Sequence, residues 1–170
     1  MSNIILIGMP GVGKSTIGVV LAKHMGYHFL DSDLIIQEKE GKLLHEIISE
    51  NGTKGFLKLE DRINASIEAD RSVIATGGSA VYGERAMKHL GAIGRIVYLY
   101  LPFEELQERL GDLNERGVAL QPGQDLYDLF EERRPLYEKY GEIKIDCSGR
   151  QIREIVAEIV NKIMYERKTV

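Results

Sequence analysis

The chain has 170 residues, 44% of them apolar and 28% charged, with a formal net charge of −4. That is the size and composition of one globular domain with a sizeable core, and the acidic balance excludes the broad basic field that nucleic acid or an anionic membrane would require. The single cysteine, Cys147, excludes an intramolecular disulfide and offers no metal-ligand spacing, and no apolar run approaches membrane-spanning length.

In chain order, Asn3-Ile4-Ile5-Leu6-Ile7 reads as a buried parallel strand, which leaves no room before it for a signal peptide, so a cytoplasmic protein is expected. Gly8-Met9-Pro10-Gly11-Val12-Gly13-Lys14-Ser15 follows and fits the phosphate-loop pattern G-x-x-x-x-G-K-[ST] at every specified position. Thr16 to Met25 then carries apolar residues at helical spacing, and Gly26 ends that helix. A second strand, Tyr27 to Leu30, runs into Asp31-Ser32-Asp33; if the strand continues, both aspartates look to one face. Residues from about 34 to 69 are long for one crossover and are read as a helical substrate-binding insertion with breaks near Gly41 and Gly52.

Ser72 to Thr76 is a third strand, delivering Gly77-Gly78-Ser79 to the same sheet edge, where paired glycines permit close backbone approach to a ligand. A helix from Tyr82 to Leu90, a strand from Arg95 to Tyr100 and a helix from Phe103 to Leu110 come next. The polar stretch from about 111 to 124, with Arg116 in its middle, is either a mobile lid or an idle loop. Asp125 caps a helix running toward Tyr140 that carries Arg133, then Ile143 to Asp146 forms a fifth strand and Gln151 to Arg167 a closing amphipathic helix. Alternating strands and helices predict an α/β domain over residues 1–170, a three-layer fold whose parallel sheet is covered on both faces.

These parts suit phosphoryl transfer from ATP. Backbone N–H groups of Gly11, Val12, Gly13, Lys14, Ser15 and Thr16 would cradle the phosphates, Lys14 would reach the β- and γ-phosphates, and Ser15 would offer its hydroxyl to Mg²⁺ together with Asp31. Asp33 would accept a hydrogen bond from an attacking hydroxyl and take its proton, Arg116 would neutralise the moving group, and Arg133 would either hold an anionic group of the acceptor or pair with Glu131 or Glu132 on a solvated helix face. A GTPase reading fails, since neither N-K-x-D nor a strand-following D-x-x-G is present. His24, His28, His45 and His89 are scattered without ligand spacing and read as structural or surface residues.

The chain resembles the shikimate kinases, a branch of the nucleoside-monophosphate-kinase-like phosphate-loop enzymes. The resemblance rests on Gly8 to Ser15, Asp31-Ser32-Asp33, Gly41-x-x-Leu44-x-Glu46-Ile47-Ile48-x-x-x-Gly52, Phe56-x-x-x-Glu60, Gly77-Gly78, Leu106-x-x-Arg109 and Arg133-x-Pro135-Leu136-Tyr137. It implies a parallel sheet of order 2-3-1-4-5, a monomer, and ATP-dependent phosphorylation of the 3-hydroxyl of shikimate. It assigns Asp31 to the magnesium shell, Asp33 to the substrate hydroxyls, Gly77 and Gly78 to backbone contact with substrate, and Arg133 to the substrate carboxylate. Arg109 resembles the family's adenine-stacking residue and Arg116 its lid arginine.

Three positions depart from the family pattern. Leu57 stands where an arginine usually grips the shikimate carboxylate, with Lys54 three residues earlier as a partial replacement; Ser79 replaces a third glycine and would bring a side chain near the substrate; the lid reads Arg116-Gly117-Val118-Ala119-Leu120. Two other readings therefore accompany the first. One keeps the chemistry and changes the acceptor to another hydroxylated metabolite; the other is a nucleotide-binding regulatory module, against which the retention of Lys14, Ser15, Asp31, Asp33, Arg116 and Arg133 argues.

Overall fold

The computed structural model describes residues 3–110 and 121–166. Most of the expected lid, with Arg116, lies outside the described residues. Five strands, β1 (Asn3–Ile7), β2 (His28–Asp31), β3 (Ser72–Ala75), β4 (Gly94–Tyr100) and β5 (Ile143–Asp146), form one sheet of order β2-β3-β1-β4-β5. Every pairing is parallel, with Ile5 in register with Ile74 on one side and Ile96 on the other.

The strand sequences explain this order. β1 and β3 are buried at every position, as central strands covered on both faces must be. β5 alternates buried Ile143 and Ile145 with exposed Lys144 and Asp146, the pattern of a half-covered edge strand that charge protects from further pairing. Helices occupy the two faces: α1 (Lys14–Met25), α2 (Ser32–Glu40), α3 (Leu44–Asn64), α4 (Glu84–Ile93), α5 (Phe103–Leu110), α6 (Leu126–Tyr140) and α7 (Ile152–Glu166). α1 buries Ile17, Leu21 and Ala22 against the sheet, and α7 buries Ile155, Val156, Ile159 and Ile163 beside it. The expected insertion is α2 with α3, and α3 kinks at Gly52, where φ is 68°. A smaller apolar cluster of Ile36, Ile47, Phe56 and Ile63 holds that pair together.

Two expectations are corrected. The helix expected from Tyr82 begins at Glu84, because Ala80–Tyr82 forms a separate 3₁₀ turn closed by Gly83. β2 does not continue through Asp33; it stops at Asp31, whose side chain accepts the Asp33 N–H at 3.0 Å and so caps α2. Among the described residues no helix is long and apolar enough to cross a membrane.

At the end of the sheet away from the phosphate loop, Asn3 joins three segments. It is 1% exposed; its amide donates to the carbonyls of Ala69 (2.8 Å) and Ile93 (3.0 Å), and its oxygen accepts the Ser72 N–H (2.9 Å). Asn3→Ala would leave those backbone groups unpaired in the interior, so it is expected to lower the free energy of unfolding by about 2–4 kcal/mol in urea titration. Because the site lies at the opposite strand ends, turnover of the folded variant should stay within about twofold of the parent.

Candidate active site

The site is built around the connection from β1 to α1. Gly8, Gly11 and Gly13 adopt φ angles of 149°, 83° and 100°, which L side chains rarely take, so the spacing of the motif follows from the backbone path. No side chain caps α1, leaving its first-turn N–H groups oriented for an anion at the positive end of the helix dipole. Lys14 folds back over the loop and donates to the carbonyls of Gly8 (2.7 Å) and Met9 (2.9 Å). Burial pushes its ammonium down to about 8, against the pull of the Asp33 carboxylate.

β2 and α2 supply the two aspartates. Asp31 accepts the Ser15 hydroxyl at 2.8 Å on one oxygen while capping α2 with the other. Asp33, in the first turn of α2, is pushed up to about 6 by burial and by the neighbouring Asp31 charge, with Lys14 opposing. Lys14, Ser15, Asp31, Asp33, Gly77 and Gly78 line one cavity of about 320 Å³. Gly11, Gly13 and Thr16 complete its phosphate-loop wall.

The glycine pair after β3 is held at very short range. A Cβ on Gly77 would sit 2.7 Å from Asp33 Oδ1 and 2.9 Å from Glu60 Oε1, and one on Gly78 would sit 2.8 Å from Arg133 Nη1. No methyl group fits between these charged atoms. Tyr137, on α6, fixes the pair by donating its hydroxyl to the Gly78 carbonyl at 2.6 Å. Glu60 and Arg133 are each 1% exposed. Glu60 accepts the Ser79 hydroxyl at 2.6 Å on one oxygen, and its other oxygen has no partner. Burial pushes the Glu60 carboxyl up to about 7, the Ser79 hydrogen bond opposing. Ser79 thus points at a protein carboxyl rather than presenting a free side chain to a ligand.

Arg133 makes no ion pair among the described residues, and its Nε lacks a hydrogen-bond partner. Its guanidinium lies 5.4 Å from the centre of the Tyr82 ring. The pocket beside it, about 40 Å³, is walled by Thr53 and Leu57 of α3 among others, and Lys54 is exposed and does not line it. Lys54 therefore does not stand in for the arginine that Leu57 replaces.

A further cavity of about 200 Å³ lies outside the phosphate loop, between Arg109 and Arg150, with Val12, Ile17, Ile152 and Ile155 as its apolar lining. Arg109 donates to the Val12 carbonyl at 3.4 Å, which ties α5 to the loop. Planar guanidiniums over an apolar floor suit a flat aromatic base.

The family model for shikimate kinase matches residues 10–164. A shikimate kinase of Persephonella marina is 34% identical over 164 residues, covering 96% of this chain and 99% of that protein. Among solved structures, a shikimate kinase from Acinetobacter baumannii in complex with shikimate is 33% identical with a TM-score of 0.86, covering 98% of this chain and 94% of that one. The shikimate kinase of Aquifex aeolicus superposes with a TM-score of 0.84 at 33% identity, covering 97% and 98%.

The fold brings together Lys14, Ser15, Asp31, Asp33, Gly77 and Gly78 round one cavity, sets Arg133 behind Gly78, and places Arg109 at the separate cavity beyond the loop. Sequence reasoning assigned no role to Glu60, Tyr82, Tyr137 or Arg150. Glu60 and Tyr137 stand in motifs that the resemblance rests on, Tyr82 lies one turn after the glycine pair, and Arg150 carries no local signal. Glu60 also makes a pH-dependent contribution to stability. Its folded carboxyl titrates above the ordinary glutamate range, so its favourable contribution is complete below about pH 4.5 and lost as pH rises through about 7. Glu60→Gln, which stays neutral, should therefore melt progressively higher than the parent as pH is raised from 5 to 8; a pH-independent difference in Tm would contradict this.

Proposed function

The chain belongs to the shikimate kinase family, and on that premise we infer that it transfers the terminal phosphoryl group of ATP to the 3-hydroxyl of shikimate. The observation that carries the assignment of roles is the shared cavity: an ionisable Asp33 faces the same space as the phosphate loop and Lys14. In this reading the loop N–H groups from Gly11 to Thr16 hold the β- and γ-phosphates and Lys14 follows the charge of the moving group. The acceptor hydroxyl attacks the γ-phosphorus as the bond to the β-bridging oxygen breaks and ADP departs with that electron pair. Asp33 takes the hydroxyl proton, and the backbone of Gly77 and Gly78 holds the ring close. Arg133, a buried cation without a counter-ion among the described residues, meets the carboxylate. Arg109 and Arg150 border the place of the adenine, and Arg116 would add positive charge at the γ-phosphate.

The residues present also fit Mg²⁺. The Ser15 hydroxyl and an Asp31 oxygen are hard donors 2.8 Å apart, and among the described residues no cluster of three or more His, Cys, Asp or Glu offers a closed metal cage. One or two protein oxygens beside a phosphate site is the environment this ion takes, where it neutralises phosphate charge. We place the reaction in a single cytoplasmic domain acting as a monomer.

An assay of ADP release with Mg-ATP tests the reading: shikimate should stimulate it strongly, and no stimulation would refute it. Two variants refine the test. Since Asp33 must be ionised to accept the proton and its carboxyl sits at about 6, kcat/KM should be level above neutrality and fall about tenfold per pH unit below about pH 6. Asp33→Asn should abolish that limb and lower kcat by about 10²–10⁴. Leu57→Arg would add a second guanidinium beside Arg133, and one charge-assisted contact should lower the KM for shikimate by about tenfold or more.

A further inference from the structure

The pocket next to Arg133 contains a hydrogen-bonded chain that no step above uses. Glu132 follows α6 residue Glu131 and immediately precedes Arg133, yet its carboxylate is turned to other partners. One oxygen accepts the Tyr82 hydroxyl at 2.6 Å and the other accepts the Gln124 amide at 2.7 Å. Gln124 is itself fixed: its side-chain oxygen accepts the Gln121 N–H at 3.1 Å, and its own N–H donates to the Gln121 carbonyl at 3.0 Å. The turn before α6 is thus tied through one carboxylate to the 3₁₀ turn that follows the glycine pair. At the end of the chain is the Tyr82 ring, against the Arg133 guanidinium. These side chains, with Leu57, wall the same small pocket.

Two physical consequences follow. A hydroxyl-to-carboxylate bond of this length is charge-assisted and holds the half-buried ring in one rotamer, so the ring face stays against the guanidinium. Equally, a carboxylate already accepting two donors has less to gain from the neighbouring arginine. A free glutamate one residue away would compete for that cation and neutralise it. With a leucine at position 57, Arg133 is the one cationic side chain among the described residues lining this pocket, so its orientation and its availability decide how well an anion is held there.

We propose that Glu132 is a positioning residue for acceptor binding: by taking the Tyr82 hydroxyl and the Gln124 amide it holds Tyr82 against Arg133 and keeps that guanidinium's charge for the carboxylate of the acceptor. This rests on the reading that Arg133 meets the acceptor carboxylate.

The test uses the full chain and steady-state kinetics with shikimate and ATP varied separately. Glu132→Ala and Tyr82→Phe should each raise the KM for shikimate about fivefold while the KM for ATP stays within about twofold, and the double variant should be no worse than the poorer single one, because both remove the same link. Glu132→Gln keeps an oxygen for the Tyr82 hydroxyl and should recover affinity to within about twofold of the parent. An unchanged shikimate KM in Glu132→Ala, an equal rise in both KM values, or strictly additive single effects would overturn the proposal. Arg133→Lys and Arg133→Met, with melting curves as a folding control, separate the two levels. If the Arg133 variants raise the shikimate KM and Glu132→Ala does not, only the positioning role falls. If folded Arg133 variants leave it unchanged, the carboxylate reading falls and the positioning role with it.

Discussion

A charged ammonium taken out of water must be solvated by something else, and in this protein the phosphate loop is what solvates it. Lys14 is 8% exposed and is held by two carbonyls of the loop it belongs to, with Asp33 as the nearest compensating charge. The glycine conformations that make the loop possible and the place of Asp33 at the start of α2 answer to that requirement. It also explains why β1 must be a central strand. Only a strand flanked by β3 and β4 presents its carboxyl end next to both the aspartates after β2 and the glycines after β3.

The acceptor side obeys a different constraint, that of charges packed at contact distance around a glycine pair. Asp33 and Glu60 close on Gly77 while Arg133 closes on Gly78, so the backbone there is held between two carboxyls and a guanidinium. Glu60, buried behind the pair, accepts a hydroxyl from Ser79. Ser79, one of the departures from the family pattern, thereby supplies a hydrogen-bond donor to a buried carboxyl. The chain is a shikimate kinase family member in which Arg133 is a buried guanidinium behind the glycine pair.

Much of this was legible in the sequence because the signals were local. Five apolar strands, the phosphate loop and the amphipathic periods of α1 and α7 each announce themselves within a few residues, and strand order followed from the family resemblance and is the order observed. Where the reading went astray, the decisive interaction was not local. That Asp31 would stop β2 depended on a choice between extending a strand and capping a helix, which the helix won through a single side-chain bond. That Thr53 and Leu57 wall the Arg133 pocket while Lys54 is exposed depends on the face that α3 turns toward α6 and the 3₁₀ turn. Glu60, Tyr82 and Tyr137 received no role because their partners lie 19, 50 and 59 residues away.

Asp31 is the residue in which scaffold and chemistry cannot be separated. Its two oxygens serve different masters, one fastening the first turn of a helix and the other reaching the serine of the phosphate loop. Any replacement that spoils the second task also unfastens the first, and with it the stance of Asp33 two residues on. Drift at this position is therefore penalised twice over, whereas a neighbour such as Leu34, 61% exposed, is free to vary.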